Sequence, residues 1–276
     1  EIADGDWSSD VCSSDLTGAS GGIGAGIAAE LGRQGARVVI HYRTRPEGAE
    51  RTVAAVRAAG GEAVSVYGDL RAESALERVF REAWAAWNGL DGLVNNAGVV
   101  LKAAIQDAGA EQWDDIMAIN LRAPYLLSRR VATAMDGAGT GGAIVHNTSI
   151  HGHRSVPWFS AYAASKAGLE GLMQVQALEW ADRGIRVNSV APGVVPVERT
   201  GEALEASRED FMPHIPLGRY GAVEDIALLT AYLCSPAAGW VTGQSFVADG
   251  GTLARLDLPR RPRPPLPGSP DPVDPS

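Results

Sequence analysis

Cysteine is nearly absent from this chain, which has two, Cys12 and Cys234, among its 276 residues. Two cysteines supply neither a disulfide framework nor a cluster of metal ligands, and they suit a reducing compartment. The five histidines show no paired spacing with acids or cysteines, so we predict no metal site. The rest of the composition is close to the average for globular proteins, which excludes collagen-like, fully disordered and disulfide-stapled classes.

Positive charge is also scarce, because 24 Lys and Arg stand against 33 Asp and Glu and leave a formal net charge of -9. Nucleic-acid binding is driven by Lys and Arg, so we expect no nucleic-acid partner. No apolar run approaches the ~20 residues that span a bilayer. The first 15 residues contain neither a basic residue nor the apolar stretch of a secretory signal. We therefore expect a cytoplasmic protein without a membrane partner.

The C-terminal segment differs from the rest of the chain. Eight of the 16 prolines lie in residues 259–276. Each proline fixes φ and removes a backbone donor, so helices and interior strands are excluded there. We predict a disordered, Pro-rich tail over residues 255–276. A ligand for a proline-recognising domain is the alternative.

The N-terminal segment is unusual for a different reason. Residues 1–16 contain five acids, four serines and no basic residue, and they lead directly into a glycine-rich loop. Such a loop normally follows a buried strand rich in Val, Ile and Leu. The run Asp10–Leu16 instead matches one reading frame of a common sequencing adapter, GACGTGTGCTCTTCCGATCT. We hypothesise that residues 1–16 are not native and that the first strand is replaced or degraded; resequencing from intact DNA tests this. If the segment is native, the central strand is badly compromised.

Between these ends, short apolar segments alternate with longer amphipathic ones. This alternation predicts a parallel sheet covered by helices on both faces. The predicted strands are 37–40, 63–67, 90–94, 143–147, 185–190 and 245–248. The predicted helices are 49–59, 73–87, 111–135, 161–181 and 223–233. No second-domain boundary and no internal repeat is visible.

A glycine-rich loop, Thr17–Gly24, opens the first helix. Glycines let the backbone turn sharply and approach a pyrophosphate at the helix N-terminus. The loop lacks the Lys-Ser/Thr ending of a P-loop, which disfavours phosphoryl transfer. The acid that selects NAD is missing after the next strand, where Tyr42 is followed by Arg43 and Arg45. A guanidinium there favours NADP by binding its 2′-phosphate, with NAD as the second option. Ordinary surface arginines are the alternative.

A phenol and an ammonium are four residues apart in Tyr162 and Lys166, which places them on one helix face. Tyrosine titrates near 10 when unperturbed. A nearby cation stabilises the phenolate, so we expect Lys166 to lower the pKa of Tyr162 and make it a general acid/base. Ser149, at the end of a predicted strand, is placed to hydrogen-bond the reacting oxygen. The pair alone is common by chance.

Further motifs accompany this pair in a fixed order. They are Thr17–Gly24, Asn95–Gly98, Asn120, Ser149, Tyr162 with Lys166, and Pro192-Gly193. With them, residues 17–253 resemble the short-chain dehydrogenase/reductase family. The resemblance implies a single Rossmann-type domain over residues 17–254, with a doubly wound, seven-stranded parallel sheet. It also implies an NAD(P)-dependent oxidoreductase that assembles as a homotetramer or homodimer.

The resemblance also implies roles for the motif residues. Tyr162 exchanges a proton with the substrate oxygen, Ser149 orients that oxygen, Lys166 also binds the nicotinamide ribose, and Asn120 holds a relay water. The implied cofactor-binding residues are Gly18, Ser20, Gly22, Ile23, Gly24, Tyr42, Arg43, Asp69, Leu70, Asn96, Ala97, Gly98, Tyr162, Lys166, Pro192 and Gly193. Buried, satisfied amides are the alternative reading of Asn96 and Asn120. The family often has a Thr soon after Pro-Gly, whereas Thr200 comes late and is a weak candidate for that contact.

Within the family, the sequence is similar to glucose 1-dehydrogenase-like members. The supporting stretches are 149–166, 215–221 and 248–251. They imply a sugar substrate bound by Ser149, Tyr162, His151 through hydrogen bonds, and Trp158 through packing. Exposed loop histidines at 151 and 153 are the alternative. A 3-oxoacyl-[acyl-carrier-protein] reductase is the rival enzyme, and an inactive or nucleotide-sensing remnant is the alternative that is not an enzyme.

Overall fold

The computed structural model describes residues 13–255, so residues 1–12 and 256–276 lie outside the described part. Seven parallel strands form one sheet in the order β3-β2-β1-β4-β5-β6-β7. The strands are β1 (Ser13–Leu16), β2 (Arg37–Tyr42), β3 (Glu62–Tyr67), β4 (Gly92–Asn95), β5 (Gly142–Asn147), β6 (Ile185–Pro192) and β7 (Ser245–Ala248). The predicted α/β class and the seven-stranded parallel sheet are confirmed.

Nine α-helices cover the sheet within residues 13–255. They are α1 (Gly22–Arg33), α2 (Pro46–Ala58), α3 (Glu73–Trp87), α4 (Ala110–Met117), α5 (Ala123–Ala138), α6 (Ser160–Trp180), α7 (Gly201–Ala206), α8 (Arg208–Phe211) and α9 (Val223–Cys234). The core on one face contains residues of α1, α2 and α9. The core on the other face contains residues of α3, α5 and α6. No helix in this described part is both long and apolar enough to traverse a bilayer.

The predicted elements match the observed ones within a few residues, with one break. The single helix predicted over residues 111–135 is two helices, because a π-helical turn, Ala118–Arg122, separates α4 from α5. In this turn Ala123 N–H bonds the carbonyl of Ala118, five residues earlier. Such a turn is set by tertiary packing rather than by apolar periodicity. It places Asn120 inside the protein, where its side chain is fully buried.

A first strand is present in the sheet and is formed by the last residues of the polar N-terminal segment, Ser13–Leu16. That residues 1–16 are not native stays a hypothesis. Residues Ser13–Leu16 pair in parallel with both β2 and β4 and occupy the central position. Pairing uses backbone donors and acceptors, which Ser, Asp and Leu supply as well as Val does. Leu16 fills the core, and Ser14 is buried close to Gly92. Most of the segment hypothesised to be non-native, and nearly all of the predicted Pro-rich tail, lie outside the described residues.

The strand order reverses between β1 and β4, which lie side by side although three helices and two strands separate them along the chain. The loops that follow these two strands run to opposite sides of the sheet and leave a crevice beyond the strand ends. The sheet topology therefore places the glycine-rich loop after β1 next to the asparagine motif after β4.

Candidate active site

A groove lies at the carboxyl ends of the strands, and two adjoining clefts form it. Arg45, Gly98 and Arg199 line both clefts. The catalytic half of the groove is the cleft lined by Ser149, Tyr162 and Lys166 and by Gly22, Ile23, Gly24, Asn96, Pro192 and Gly193. The arginine half is the cleft lined by Gly18, Ser20, Arg43, Asp69, Leu70 and Ala97. The sequence motifs thus meet in one groove.

The glycine-rich loop has room for nothing larger than glycine at two positions. Gly18 has a φ of +65°, and a Cβ on it would lie 2.8 Å from the Cα of Ala97. A Cβ on Gly24 would lie 2.6 Å from the carbonyl oxygen of Gly18. These approaches bring the loop backbone against the start of α1, where free N–H groups and the helix dipole favour an anion. The loop therefore fits the pyrophosphate of a dinucleotide.

Hydrogen bonds join this loop to the strands on its other side. The Asn96 amide donates to the carbonyls of Thr17 and Gly18 at 3.0 and 3.1 Å. Asn147 donates to the Oδ1 of Asn96 at 2.7 Å, and the carbonyl of Asn147 accepts from Lys166 Nζ at 2.7 Å. A continuous chain of bonds thus connects the loop to the lysine. Asn147 was not among the predicted site residues, because its side chain matters only through its partners.

The arginine half carries exposed cations. Arg43 and Arg45 follow β2 and are exposed. Arg43 lies 3.8 Å from Asp69, and a Cβ on Gly21 would lie 2.9 Å from the Arg45 guanidinium. Arg71 forms the shorter ion pair with Asp69, at 2.6 Å, and holds the pKa of that carboxyl down to about 2. Arg43 and Arg45 remain within reach of an additional anion.

His41 supports the loop from behind. Its Nδ1 accepts from the N–H of Gly18 at 3.2 Å and its Nε2 donates to the carbonyl of Gly68 at 2.9 Å, which fixes the neutral tautomer. Burial lowers the pKa of His41 to about 4. The sequence analysis missed this residue, because its two partners are 23 and 27 residues away along the chain.

Three side chains converge in the catalytic half. Tyr162 and Lys166 project from the first turns of α6, while Ser149 follows β5 and caps a short 3-10 turn by accepting from the N–H of His151 at 3.2 Å. Lys166 Nζ lies 5.8 Å from the centre of the Tyr162 ring. Ser149 and Tyr162 line the same cleft. The arrangement can orient an oxygen and exchange a proton with it.

The pKa of Tyr162 is shifted upward, whereas the sequence analysis expected a downward shift. Burial raises it, and the hydrogen bond with Ser149 offsets only part of that effect. Lys166 is itself buried, which lowers its pKa to about 8, and its ammonium is directed to the Asn147 carbonyl. The expectation that Lys166 sets a lowered phenol pKa is therefore wrong for this arrangement. A raised pKa keeps Tyr162 protonated and so favours it as an acid.

Comparison with known proteins agrees with this geometry. Residues 18–252 match a family model described as enoyl-(acyl carrier protein) reductase. The 3beta-hydroxysteroid dehydrogenase 1 of Eggerthella lenta is 38% identical over 240 residues, which cover 86% of this chain and 91% of that protein. The chain belongs to the short-chain dehydrogenase/reductase family. It is therefore an NAD(P)-dependent oxidoreductase that acts on alcohol or carbonyl groups.

Two further relatives of this short-chain dehydrogenase/reductase bear on its substrate and cofactor. The 3-oxoacyl-[acyl-carrier-protein] reductase FabG of Staphylococcus epidermidis is 34% identical and aligns over 86% of this chain and 96% of its own. A crystal structure of a candidate 2-deoxy-D-gluconate 3-dehydrogenase from Agrobacterium tumefaciens, with bound NADP, superposes with a TM-score of 0.81 at 34% identity. That match covers 88% of this chain and 96% of the other.

Some predicted site residues lie outside the two clefts of this short-chain dehydrogenase/reductase. Tyr42 packs on Tyr67, with ring centres 5.8 Å apart. His151 stacks on Phe159 beside Tyr162, with ring centres 4.4 Å apart, rather than lining the groove. Trp158 is 63% exposed.

Asn120 and Thr200 are also outside the clefts. The Asn120 amide is fully engaged, since it accepts from Val99 N–H and donates to the Val99 carbonyl, both at 2.9 Å, and donates to Ser165 at 3.1 Å. This agrees with the alternative reading of a buried, satisfied amide. The Thr200 hydroxyl bonds the backbone of Val197 instead of facing the groove.

The segment after β6 contributes residues that the sequence analysis did not single out. Val195, Val197, Glu198 and Arg199 line the catalytic half. The Glu198 carboxylate accepts from the N–H of Gly22 at 3.1 Å, at the start of α1. A carboxylate thus occupies the anion position of the helix N-terminus, which shows that this position accepts negative charge. No local pattern predicts this contact, because 176 residues separate the two partners.

Proposed function

We propose that the chain interconverts a hydroxyl group of a sugar and the corresponding carbonyl group. Glucose is the model substrate, and NADP(H) is favoured over NAD(H) as the cofactor. The observation that carries this proposal is the convergence of Ser149, Tyr162 and Lys166 in the half of the groove that adjoins the glycine-rich loop. Their spacing leaves the Tyr162 hydroxyl and the Ser149 hydroxyl on the same small site, where one substrate oxygen can contact both.

The proposed mechanism assigns one task to each side chain. NADP(H), when bound, supplies or accepts the hydride. Tyr162 donates a proton to the carbonyl oxygen in reduction and takes it back in oxidation. Ser149 holds that oxygen by a hydrogen bond, and Lys166 binds the nicotinamide ribose. Asn120 holds the relay water through its backbone, since its side chain is fully engaged.

The same proposal assigns the remaining groove residues to the cofactor. The loop glycines Gly18, Gly22 and Gly24, with Ser20 and Ile23, hold the pyrophosphate. Asp69 and Leu70 hold the adenine, and Pro192 and Gly193 flank the nicotinamide. Asn96, Ala97 and Gly98 line the adenosine side. All of these residues line one of the two clefts. Tyr42, which was also predicted to bind the cofactor, packs on Tyr67 instead.

The preference for NADP rests on charge. Arg43, Arg45 and Arg199 line the arginine half, and no acid stands directly after β2. A guanidinium binds a phosphate in bidentate fashion, whereas the 2′-hydroxyl of NAD gives it no charged partner. The Agrobacterium relative that binds NADP has a similar fold.

The sugar assignment rests on the name of a similar protein and on the surroundings of Tyr162, and two other functions have observations in their favour. The Agrobacterium relative carries a sugar-acid name, and the His151 ring lies 5.8 Å from the Tyr162 ring, where it supplies a polar group. Trp158 is assigned as an apolar face on the resemblance alone. A 3-oxoacyl-[acyl-carrier-protein] reductase is the rival, because a FabG relative is 34% identical. An inactive or nucleotide-sensing protein is the third reading, favoured by the polar sequence of β1.

One experiment separates these three readings. The purified chain is incubated with NADP or NAD and a panel of sugars, sugar acids and simple alcohols, and separately with NADPH or NADH and an acetoacetyl thioester. The absorbance of the reduced nicotinamide is followed in both cases. We expect turnover of a sugar with NADP. Turnover of the thioester alone identifies the rival reductase. Cofactor binding without turnover of any compound contradicts the enzymatic proposal.

We also propose a cytoplasmic homotetramer or homodimer. Apolar side chains are exposed on three helices, at Tyr125 on α5, Leu178 on α6 and Leu228 on α9. Such exposure is typical of a surface that a second subunit covers. The scarcity of cysteine supports a reducing compartment. Light scattering coupled to gel filtration measures the assembly, and a monomer at micromolar concentration contradicts it.

A further inference from the structure

Glu170 is a buried acid that the mechanism above does not use. It lies on α6, four residues after Lys166, so both side chains are on the same face of the helix. Its side chain is only 8% exposed. Burial of an acid costs free energy unless charges or donors compensate for it, so this position calls for partners.

Hydroxyl groups in or next to three adjacent strands supply those partners. Oε1 of Glu170 accepts from Thr148 at 2.5 Å and from Ser245 at 3.1 Å, and Oε2 accepts from Ser189 at 2.6 Å. Thr148 follows β5, Ser189 lies in β6 and Ser245 begins β7. One carboxylate therefore ties α6 to three adjacent strands immediately behind the catalytic half.

Thr148 connects this cluster to the reacting groups. Its neighbour Asn147 accepts from the Lys166 ammonium through its carbonyl, and its other neighbour, Ser149, lines the same cleft as Tyr162. A shift of Thr148 would move both the acceptor of Lys166 and the Ser149 hydroxyl. The Val190 carbonyl lies 3.0 Å from the Thr148 hydroxyl and is the second acceptor within reach of its single proton.

We propose that Glu170 is a positioning residue for the catalytic half, which fixes the Asn147–Ser149 segment and acts as the counter-ion that keeps the Lys166 ammonium charged. This inference rests on the proposed function for the identity of the site. The role of Glu170 itself is that of an anion beside a lysine and can be measured without any substrate.

The surrounding charges support the electrostatic part of this role. Burial lowers the pKa of Lys166 to about 8, and the Glu170 charge opposes that effect. Burial lowers the pKa of His146, on β5, to about 4, so this histidine is neutral near pH 7 and does not replace the ammonium. His153 Nε2 lies 3.5 Å from Glu170 Oε1, and the Tyr162 phenol has its pKa raised by burial. Among these groups, Glu170 is the one whose negative charge can hold Lys166 protonated.

The sequence offers a direct measurement, because Lys102 and Lys166 are the only lysines in the chain. Labelling with [ε-13C]lysine gives one methylene signal from each, and Lys102→Arg assigns them. The pH midpoint of the Lys166 signal is then compared between the wild-type chain and Glu170→Gln, which removes the charge and retains the size. Lys102 is the internal reference, and Glu179→Gln, at an exposed position on the same helix, is the matched control.

We expect Glu170→Gln to lower the Lys166 midpoint by about one pH unit, since an adjacent carboxylate favours the ammonium. The Lys102 midpoint and the Glu179→Gln chain should not change. In the active enzyme, the alkaline limb of the kcat profile should move by the same amount. An unshifted Lys166 midpoint in a folded Glu170→Gln chain overturns the counter-ion role, whereas a shift in a chain without turnover leaves it standing and contradicts only the proposed function.

Thr148→Val tests the positioning role separately and remains available if Glu170→Gln does not fold. This variant keeps the carboxylate and the side-chain volume but removes the hydroxyl that Glu170 holds. We expect kcat to fall about tenfold, the loss expected when a reacting group moves out of alignment, with the Lys166 midpoint unchanged and the cofactor affinity unchanged. Unaltered kcat in Thr148→Val overturns the positioning role.

Discussion

The two halves of the groove differ in how their polar side chains are held. In the catalytic half, Ser149 and Lys166 are buried. Ser149 accepts from the His151 N–H, and Lys166 donates to the Asn147 carbonyl. In the arginine half, Arg43 and Arg45 are exposed on the loop after β2. Buried, bonded groups fix geometry, whereas exposed cations supply attraction that solvent and salt weaken. Substitutions in the first half should therefore change kcat, and those in the second should change cofactor affinity.

The largest expected effect is at Tyr162. Tyr162→Phe removes the proton donor and keeps the ring, so kcat should fall about 10³-fold, the scale of general acid/base catalysis. Fluorescence titration of NADPH should give a dissociation constant close to that of the wild-type chain, because the hydroxyl is not a phosphate ligand. Tyr67→Phe, which removes an exposed tyrosine hydroxyl at the end of β3, is the control. Turnover retained by Tyr162→Phe would falsify the assigned mechanism.

The pH dependence of the free energy of unfolding allows a second comparison of the two halves, because one buried histidine lies behind each half. Burial lowers the pKa of His41, behind the glycine-rich loop, and of His146, on β5, from 6.5 to about 4. Between these values the unfolded chain binds more protons than the folded one, so stability falls as the pH falls. The slope should reach about 1.4 kcal/mol per pH unit for each histidine.

His41→Gln tests this with urea unfolding at several pH values between neutral and acid. The variant should be less stable at neutral pH, because Gln cannot make both bonds of the imidazole, and its stability should depend less steeply on pH. His214→Gln is the control, since His214 is exposed. Equal slopes in His41→Gln and the wild-type chain contradict the assignment of a neutral buried histidine.

Cofactor choice should depend on the arginine half. Arg45→Ala removes a guanidinium that reaches both clefts. We expect KM for NADP to rise about tenfold, the value of one charge-assisted bond, while KM for NAD and kcat change little. Arg51→Ala, exposed on α2, controls for the loss of charge alone. If the KM values for NADP and NAD rise by the same factor, Arg45 does not contact the 2′-phosphate.

The sequence predicts well the strands and helices that have a periodic apolar pattern. It predicts poorly the contacts between residues that are far apart along the chain. Alternating apolar segments located six of the seven strands, because buried strands and amphipathic helices have a periodic pattern. The first strand lacked that pattern, yet Ser13–Leu16 pairs through its backbone with neighbours on both sides. Tyr162 and Lys166 were found from their spacing on one helix.

The missed features all depend on tertiary structure. The raised pKa of Tyr162 comes from burial, which its neighbours in sequence do not determine. His41 and Glu170 are bound by groups 19 to 75 residues away along the chain. A motif can therefore locate the reacting groups, whereas the residues that hold those groups in place become visible only once the strands are assembled.

The smallest expected effect is at Glu198, which competes with the cofactor for a backbone donor in the catalytic half. Its carboxylate accepts from Gly22 N–H, at the position proposed for the pyrophosphate. Binding of the cofactor must displace this carboxylate, so Glu198→Gln should lower the dissociation constant for NADPH about threefold, since a neutral amide is held less strongly by the helix dipole. Glu202→Gln, exposed on α7, is the control. Weaker binding by Glu198→Gln would instead show that the carboxylate assists the cofactor, and the anion position at Gly22 would then have to be assigned to another group.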